Sequence, residues 1–393
     1  MMIVVFWALI LALFALATRL GRHLNLIPIV SQLLLATFGL PLLMLFWVEP
    51  NWHLSGAQLV APVWLKTLYG LSFAVVLGHI LSDVIDLRLD RQSLKVALPS
   101  FCVPLLCGVA CGVWLLKEQS WLSSLAIGLV FAITAIPVLY LYLHHIGYPA
   151  QATRRLVQTA ILIDLACWSL FGLAQGSLHL SGLALPLVGA CAPLLLRWMS
   201  IRQPKIYGAL FFALLMVAEH YRINALIFGI GYLLCMNALK QPFALPLKPA
   251  LFKALQHYLA IPLILTFGIV QINVHSAMGD LGWINLLALI VLPISSKMLG
   301  NWLGLRWAPP SFPGASRWKE SLLLNIRGLS EIVFLNLLLQ QQLITPALYF
   351  ALMSMSLIAT LLPALAGMNR PLALREAKPV DTVKPVDKET TCQ

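Results

Sequence analysis

The chain has 393 residues, of which 60% are hydrophobic and only 10% are charged, and its mean hydropathy is +0.89. Because water-soluble globular proteins carry about 25% charged residues, this composition excludes a set of soluble domains. The net charge of +12 comes from basic residues spread through short loops, a pattern typical of membrane topology rather than of nucleic-acid binding.

Long apolar runs follow one another through residues 1–367 and predict an all-α polytopic membrane protein. Each is about 20 residues long, enough to cross a hydrocarbon layer of about 30 Å as a helix. The 13 runs lie near residues 2–20, 26–48, 61–82, 94–116, 121–143, 156–175, 180–197, 206–220, 223–239, 254–274, 282–304, 320–340 and 345–367. Residues 368–393 are polar and are predicted to form a short, disordered cytoplasmic tail.

The loops between these runs differ in charge on the two sides of the membrane. Alternate loops hold most of the lysines and arginines, beginning with Arg19 and Arg22, whereas the other side holds Lys66, Lys117 and Arg222. Basic loops stay in the cytoplasm. The pattern therefore predicts a bacterial-type inner-membrane protein with its N-terminus outside and its C-terminus in the cytoplasm.

A few ionisable residues lie inside the predicted spans, where a charge is costly and therefore indicates function. Asp164 is in the middle of the sixth span, and Lys297 is in the second half of the eleventh. Arg327 and Glu331 are four residues apart in the twelfth span, so they could pair on one helix face. Lys297 could instead extend its ammonium group toward the membrane surface.

Two spans carry helix-breaking residues at matching places in the two halves of the chain. The segment FAITAIPVLYLYL puts Pro137 inside the fifth span, with Thr134 one turn earlier, where it could cap freed backbone groups. The segment IRGLSE puts Gly328 in the middle of the twelfth span. Broken helices at corresponding positions indicate a transporter of inverted repeats with a mid-membrane site. The buried charges could neutralise the half-helix ends.

The residues around both breaks resemble a known family signature, that of the second branch of the monovalent cation:proton antiporter superfamily, a sodium/hydrogen exchanger-like membrane domain. NIRGLSEIVFLN is similar to the family's Arg-Gly-Leu-x-Glu helix, and Lys297 matches a basic residue of its penultimate core helix. In TAIPVLYLYLHHIGYPAQATRRLVQTAILIDLACW, the matching residues are Thr134, Ala135, Pro137, Val138, Leu139, Asp164, Ala166 and Trp168.

The resemblance implies a 13-helix antiporter fold with a scaffold domain, a mobile core domain and two broken helices that cross at the ion site. It implies that Asp164, with Thr134, binds a cation or a proton in alternation, and that the protein is a homodimer. Ile163 departs from the family, which usually has Asp, Asn or Gln there, so the site loses one polar ligand.

The predicted function is exchange of Na⁺ or K⁺ for H⁺ by alternating access. Cation and proton compete for Asp164. An empty, charged Asp164 should move poorly from one side of the membrane to the other, so exchange is obligatory. One carboxylate predicts electroneutral one-for-one exchange, although Lys297 could pair with Asp164 when the cation has left. A coupled transporter of another solute and a non-transporting sensor on the same scaffold remain alternatives.

Other classes of protein are disfavoured by missing motifs. The TVGYG filter of a potassium channel is absent from the sequence, as are the HExxH and GxSxG motifs of enzymes. The cysteines form no CxxC pair, and all except Cys392 lie within apolar runs, as small buried hydrophobic residues do. The sequence therefore predicts neither an enzyme, nor a structural metal, nor a cofactor.

Overall fold

The computed structural model describes most of the apolar part of the chain. The described ranges are 2–23, 28–52, 54–82, 90–116, 120–176, 180–201, 203–221, 225–241, 243–244, 248–271, 282–310 and 315–368. Every regular element within them is a helix, and none is a strand. The tail predicted for 368–393, apart from its first residue, lies outside the described residues, as does Arg222.

The helices are numbered here in chain order, and a helix that continues through a π-helical segment keeps one number. They are α1 (Met2–His23), α2 (28–52), α3 (Gly56–Val60), α4 (Val63–Ser82), α5 (Arg91–Leu115), α6 (Trp121–Ala132), α7 (Ile136–His145), α8 (Ala150–Gly176), α9 (Leu180–Ala190), α10 (Ala192–Trp198), α11 (Pro204–His220), α12 (Ala225–Ala238), α13 (249–269), α14 (Trp283–Trp307), α15 (Arg317–Leu323), α16 (Leu329–Gln340) and α17 (Pro346–Leu365).

The lengths of the apolar helices agree with the predicted spans. Among the described residues, seven helices are long and apolar enough to cross a membrane by length and composition, and six shorter apolar helices accompany them. Each of these helices falls in a different predicted run, in the same order along the chain. The prediction of an all-α polytopic membrane protein is therefore confirmed.

Prolines inside two long helices are preceded by a wider, π-helical turn. A proline ring clashes with the carbonyl group four residues earlier, and in α2 and α13 that carbonyl belongs to the middle residue of a π segment. A wider turn displaces this carbonyl, so the helix continues past the proline without ending. The segments Leu35–Gly39, Met44–Val48 and Gln256–Ala260 precede Pro41, Pro50 and Pro262.

The helices form two groups that differ in their packing partners. The broken-helix group consists of α5–α8 and α14–α17, with α5 packed on α6, α8 and α14. The flanking group consists of α1–α4 and α9–α13, with α4 packed on α11 and α13. The groups meet where α16 lies against α4 and α13, and where α8 lies against α12.

Glycines allow the closest approach inside the broken-helix group. A Cβ added at Gly300 of α14 would lie 2.6 Å from the carbonyl oxygen of Pro99 in α5, and one at Gly304 would lie 2.5 Å from that of Val96. Small residues at helix contacts let backbones approach closely within a membrane. The contact fixes α14, and with it Lys297, against α5.

Candidate functional site

The fifth predicted span is broken where the sequence indicated, just before its proline. Helix α6 ends at Ala132, Ile133 and Ala135 have extended backbone angles (ψ of 151° and 94°), and α7 begins at Ile136. Pro137 lies in the first turn of α7, where a missing N–H removes no helical hydrogen bond. The proline therefore starts the second half-helix and does not interrupt the first.

The twelfth span is also broken, and the two breaks touch each other. Residues 324–328 separate α15 from α16. The Ala135 N–H donates a hydrogen bond to the Ile326 carbonyl at 3.1 Å. A Cβ added at Gly328 would lie 2.9 Å from Cγ2 of Val138, so only a glycine leaves room for this approach. The two broken helices therefore cross at these segments, as predicted.

Asp164 is held beside the first break. It lies in the middle of α8 with 3% of its surface exposed, and its Oδ1 accepts a hydrogen bond from the Thr134 N–H at 3.0 Å. The extended backbone at 133–135 makes this N–H available. Asp164 thus lies near the start of α7, at the positive end of that half-helix.

Thr134 contributes through its backbone, and this corrects the prediction that its side chain caps the break. The residue is fully buried, and its hydroxyl group has no hydrogen-bond partner within the described part of the chain. The freed N–H groups of Thr134 and Ala135 are bonded to Asp164 of α8 and to the Ile326 carbonyl of the second break, so the Thr134 hydroxyl does not cap them.

The unwinding leaves carbonyl groups of α6 without their helical donors, and Arg327 replaces these donors. In a continuous helix, the N–H groups of Thr134 and Ala135 would bind the carbonyls of Val130 and Phe131. Instead, Nη1 of Arg327 donates to the Val130 oxygen at 2.6 Å, and Nη2 donates to the Phe131 oxygen at 2.7 Å. A cation at this position also matches the negative end of the α6 dipole.

Lys297 continues the same arrangement at the last residue of α6. Its ammonium group donates to the carbonyl oxygen of Ala132, and to that of Ser100 in α5 at 3.3 Å. Lys297 has no exposed surface, so its side chain does not extend to the membrane surface. Lys297 and Arg327 therefore both place a basic group at the C-terminal end of α6, where the helix dipole is negative.

Glu331 completes a buried ion pair in the twelfth span. Its Oε1 lies 3.0 Å from Nη1 of Arg327, and neither side chain has exposed surface. Glu331 is in the first turn of α16, where a negative charge favours the helix dipole. The predicted pairing at four-residue spacing is thus present. The guanidinium group of Arg327 thus contacts both the end of α6 at the first break and the start of α16 at the second break.

The neighbours of Asp164 on α8 are mostly apolar. Ile163 is fully buried, Trp168 packs edge-on against Phe334 with ring centroids 4.9 Å apart, and the Cys167 thiol lies 3.8 Å from the Leu129 oxygen. Within the described residues, no three His, Cys, Asp or Glu side chains gather as a metal site would require. The site has one acidic residue on α8.

Sequence reasoning did not find several groups that hold this site. Apart from Glu331, the acceptors of Arg327 are main-chain carbonyls, as are both acceptors of Lys297, and main-chain carbonyls have no residue signature. Thr360 was also missed, and its hydroxyl donates to the Arg327 carbonyl at 2.6 Å. A threonine inside the apolar last span was the available signal, although its partner lies 33 residues away.

Comparison with solved structures places this geometry in a known fold. The chain is similar to the sodium proton antiporter MjNhaP1 from Methanocaldococcus jannaschii, whose structure at pH 8 aligns with a TM-score of 0.59 and 15% identity. The alignment covers 94% of this chain and 98% of that chain. The chain has this antiporter fold. No protein-family model matches the sequence, and no curated protein matches it.

The similarity in fold extends well beyond the two breaks. An alignment of 94% of the chain includes both the broken-helix group and the flanking group. The predicted all-α sodium/proton antiporter fold is therefore confirmed. The roles of individual residues rest on the contacts described above.

Proposed function

We propose that the chain exchanges a monovalent cation for a proton by alternating access, and that Asp164 is the site shared by the two ions. The observation that carries this proposal is the position of Asp164 at the crossing of the two breaks, with its carboxylate bonded to the Thr134 amide. A buried carboxylate is costly to keep charged in an apolar environment, so binding of a proton or a cation stabilises it.

The other buried charges support this assignment because they are engaged in holding the helix breaks. Arg327 is bonded to two carbonyls and to Glu331, and Lys297 is bonded to two carbonyls. With one carboxylate for ion exchange, we infer electroneutral one-for-one transport. The Thr134 hydroxyl, which has no partner in the described residues, is an oxygen ligand for Na⁺ or K⁺.

The likeness to a sodium proton antiporter supports the class of transport. We infer that this chain is a member of the antiporter superfamily that its signature resembles, and that it acts as a homodimer in a bacterial-type inner membrane. The distribution of Lys and Arg supports an outside N-terminus and a cytoplasmic C-terminus.

A proton-flux assay tests the proposed function. The purified protein is reconstituted into liposomes that contain a pH-sensitive dye, and Na⁺, K⁺ and Li⁺ are added separately. We expect at least one cation to dissipate the pH gradient with wild-type protein and with Asp90→Asn. We expect no such signal with Asp164→Asn, which keeps the shape of the side chain and removes its charge.

Asp90→Asn is the matched control because it makes the same chemical change outside the site. Asp90 caps the first turn of α5 through the Gln92 N–H, and asparagine caps helices equally well. A transport signal that survives in Asp164→Asn would rule out the shared site. The absence of any cation signal with wild-type protein would instead favour the transporter of another solute or the sensor.

A further inference from the structure

The boundary between the two helix groups contains a buried polar cluster away from Asp164. Helix α16 of the broken-helix group packs on α13 of the flanking group, and most side chains at this boundary are apolar. Asn336 of α16 and Tyr349 of α17 are exceptions, with 1% and 0% of their surfaces exposed. Neither residue takes part in the site described above.

Asn336 makes a hydrogen bond from one helix group to the other. Its Nδ2 donates to the Ile264 carbonyl of α13 at 3.1 Å and to the Ile332 carbonyl of its own helix at 3.0 Å. The Tyr349 hydroxyl donates to its Oδ1 at 3.4 Å. Both amide hydrogens are therefore used, and the tyrosine fixes the orientation of the side chain.

Helix α13 has a space that fits this pair. Gly268 lies one turn after Ile264, so the two residues share a face of the helix. A Cβ added at Gly268 would overlap Oδ1 of Asn336 and Oη of Tyr349, and would lie 2.8 Å from Cζ of Tyr349. The glycine therefore allows α13 to receive the Asn336–Tyr349 pair next to the carbonyl that Asn336 binds.

We propose that Asn336, Tyr349, Gly268 and the Ile264 carbonyl form an interhelical latch that stabilises the described arrangement of the two helix groups. Apolar contacts can re-form after one helix slides along another, whereas a hydrogen bond is directional and weakens steeply when its atoms separate or misalign. The latch therefore favours one state of the transport cycle and opens when the groups move. This inference rests on the proposed alternating access.

Sided transport measurements test the latch. Asn336→Leu and Tyr349→Phe remove its bonds, and Gly268→Ala fills its space. The apparent KM for the transported cation is measured from each side of oriented vesicles. Loss of one favoured state should lower KM on one side and raise it on the other, because apparent affinity follows the population of the competent state.

We expect the ratio of the two KM values to change about fivefold in Asn336→Leu and Gly268→Ala, the effect of one buried hydrogen bond, and less in Tyr349→Phe. Thr266→Val is the matched control, because Thr266 is a buried residue of α13 whose hydroxyl has no partner among the described residues. It should keep the wild-type ratio. Damage to folding alone would lower the maximal rate without changing the ratio.

Unchanged KM ratios in these variants, with normal wild-type exchange, would overturn the latch and leave the proposed function intact. If Asn336→Leu does not fold, Gly268→Ala and Tyr349→Phe decide the question. If the wild type does not transport cations, the proposed function fails. The latch is then tested separately by measuring amide hydrogen–deuterium exchange in α13 and α16. Faster amide hydrogen exchange in Gly268→Ala than in Thr266→Val supports the latch, and equal rates in the two variants overturn it.

Discussion

At the scale of single residues, the fifth span shows how a membrane helix can be broken without leaving its backbone unsatisfied. Unpaired backbone groups are costly in an apolar environment. The freed N–H group of Thr134 donates to the Asp164 carboxylate on α8, and that of Ala135 donates to the Ile326 carbonyl in the second break. The freed carbonyls at the end of α6 receive hydrogen bonds from Arg327 and Lys297. The break is stabilised by residues distant in sequence.

Arg327 therefore has a structural role that can be measured apart from transport. Arg327→Leu leaves two carbonyls without donors and Glu331 buried without its cation. We expect the protein to lose about 3–5 kcal/mol of stability, as when one partner of a buried ion pair is removed. Thermal unfolding in detergent measures the change. The double variant Arg327→Leu/Glu331→Leu should be less destabilised than the single one, and a single variant as stable as wild type would contradict this role.

At the scale of helices, the two broken spans are joined at the crossing and again at one end. At the crossing, the Ala135 N–H binds the Ile326 carbonyl. Beyond the end of α7, the Tyr148 hydroxyl donates to Oε1 of Glu320 in α15 at 3.0 Å. Two contacts on different turns fix the angle between the half-helices, so the crossing is held as one unit.

The crossing should be sensitive to the size of residue 328. We expect Gly328→Ala to reduce cation-dependent proton flux at least tenfold, because its Cβ would lie 2.9 Å from Val138 and 3.3 Å from Cβ of Ala135. Gly189→Ala is the control, because the nearest atom to its Cβ would be a ring carbon of Phe228 at 3.3 Å. Equal flux in the two variants would show that the close approach is unimportant.

The Tyr148–Glu320 contact should make stability depend on alkaline pH. Burial and the neighbouring Glu320 carboxylate raise the pKa of the Tyr148 phenol above its usual range. A group whose pKa is higher in the folded state stabilises the protein below its unfolded pKa, about 10 for tyrosine, and this stabilisation is lost as pH rises further. Wild-type stability should thus fall more steeply above about pH 10 than that of Tyr148→Phe. Parallel curves in a denaturant titration would contradict this.

At the scale of the whole molecule, the number of spans predicts on which sides of the membrane the termini lie. The described residues contain seven long and six shorter apolar helices, and each lies in a different one of the 13 predicted runs. If each run crosses the membrane once, the number of crossings is odd. An odd number of crossings puts the termini on opposite sides of the membrane. Together with the basic loops, this predicts an outside N-terminus and a cytoplasmic C-terminus.

Reporter fusions test this orientation in cells. A green fluorescent protein fused to the C-terminus should be fluorescent, and an alkaline phosphatase fused to the same position should be inactive, because the phosphatase requires the periplasm for its disulfides. The opposite pattern would place the C-terminus outside. It would contradict the orientation inferred from Lys and Arg.

Much of the fold and part of the site could be predicted from the sequence, for identifiable reasons. Apolar runs and basic loops report membrane crossing directly, Pro137 and Gly328 mark the breaks, and the spacing of Arg327 and Glu331 predicts their pair. The acceptors of Lys297 were not predictable, because one of them is a carbonyl 165 residues away in the chain. Main-chain contacts between distant segments leave no pattern in a single sequence.

The most direct test of the shared site is the effect of pH on cation affinity in the wild-type protein. If a proton and a cation compete for Asp164, lowering the pH should raise the apparent KM for the cation. Once the protonated form predominates, the rise should be about tenfold for each pH unit, while the transport rate at saturating cation stays constant. An apparent KM that is independent of pH, with a maximal rate that falls instead, would mean that the two ions bind at different sites and would contradict exchange at Asp164.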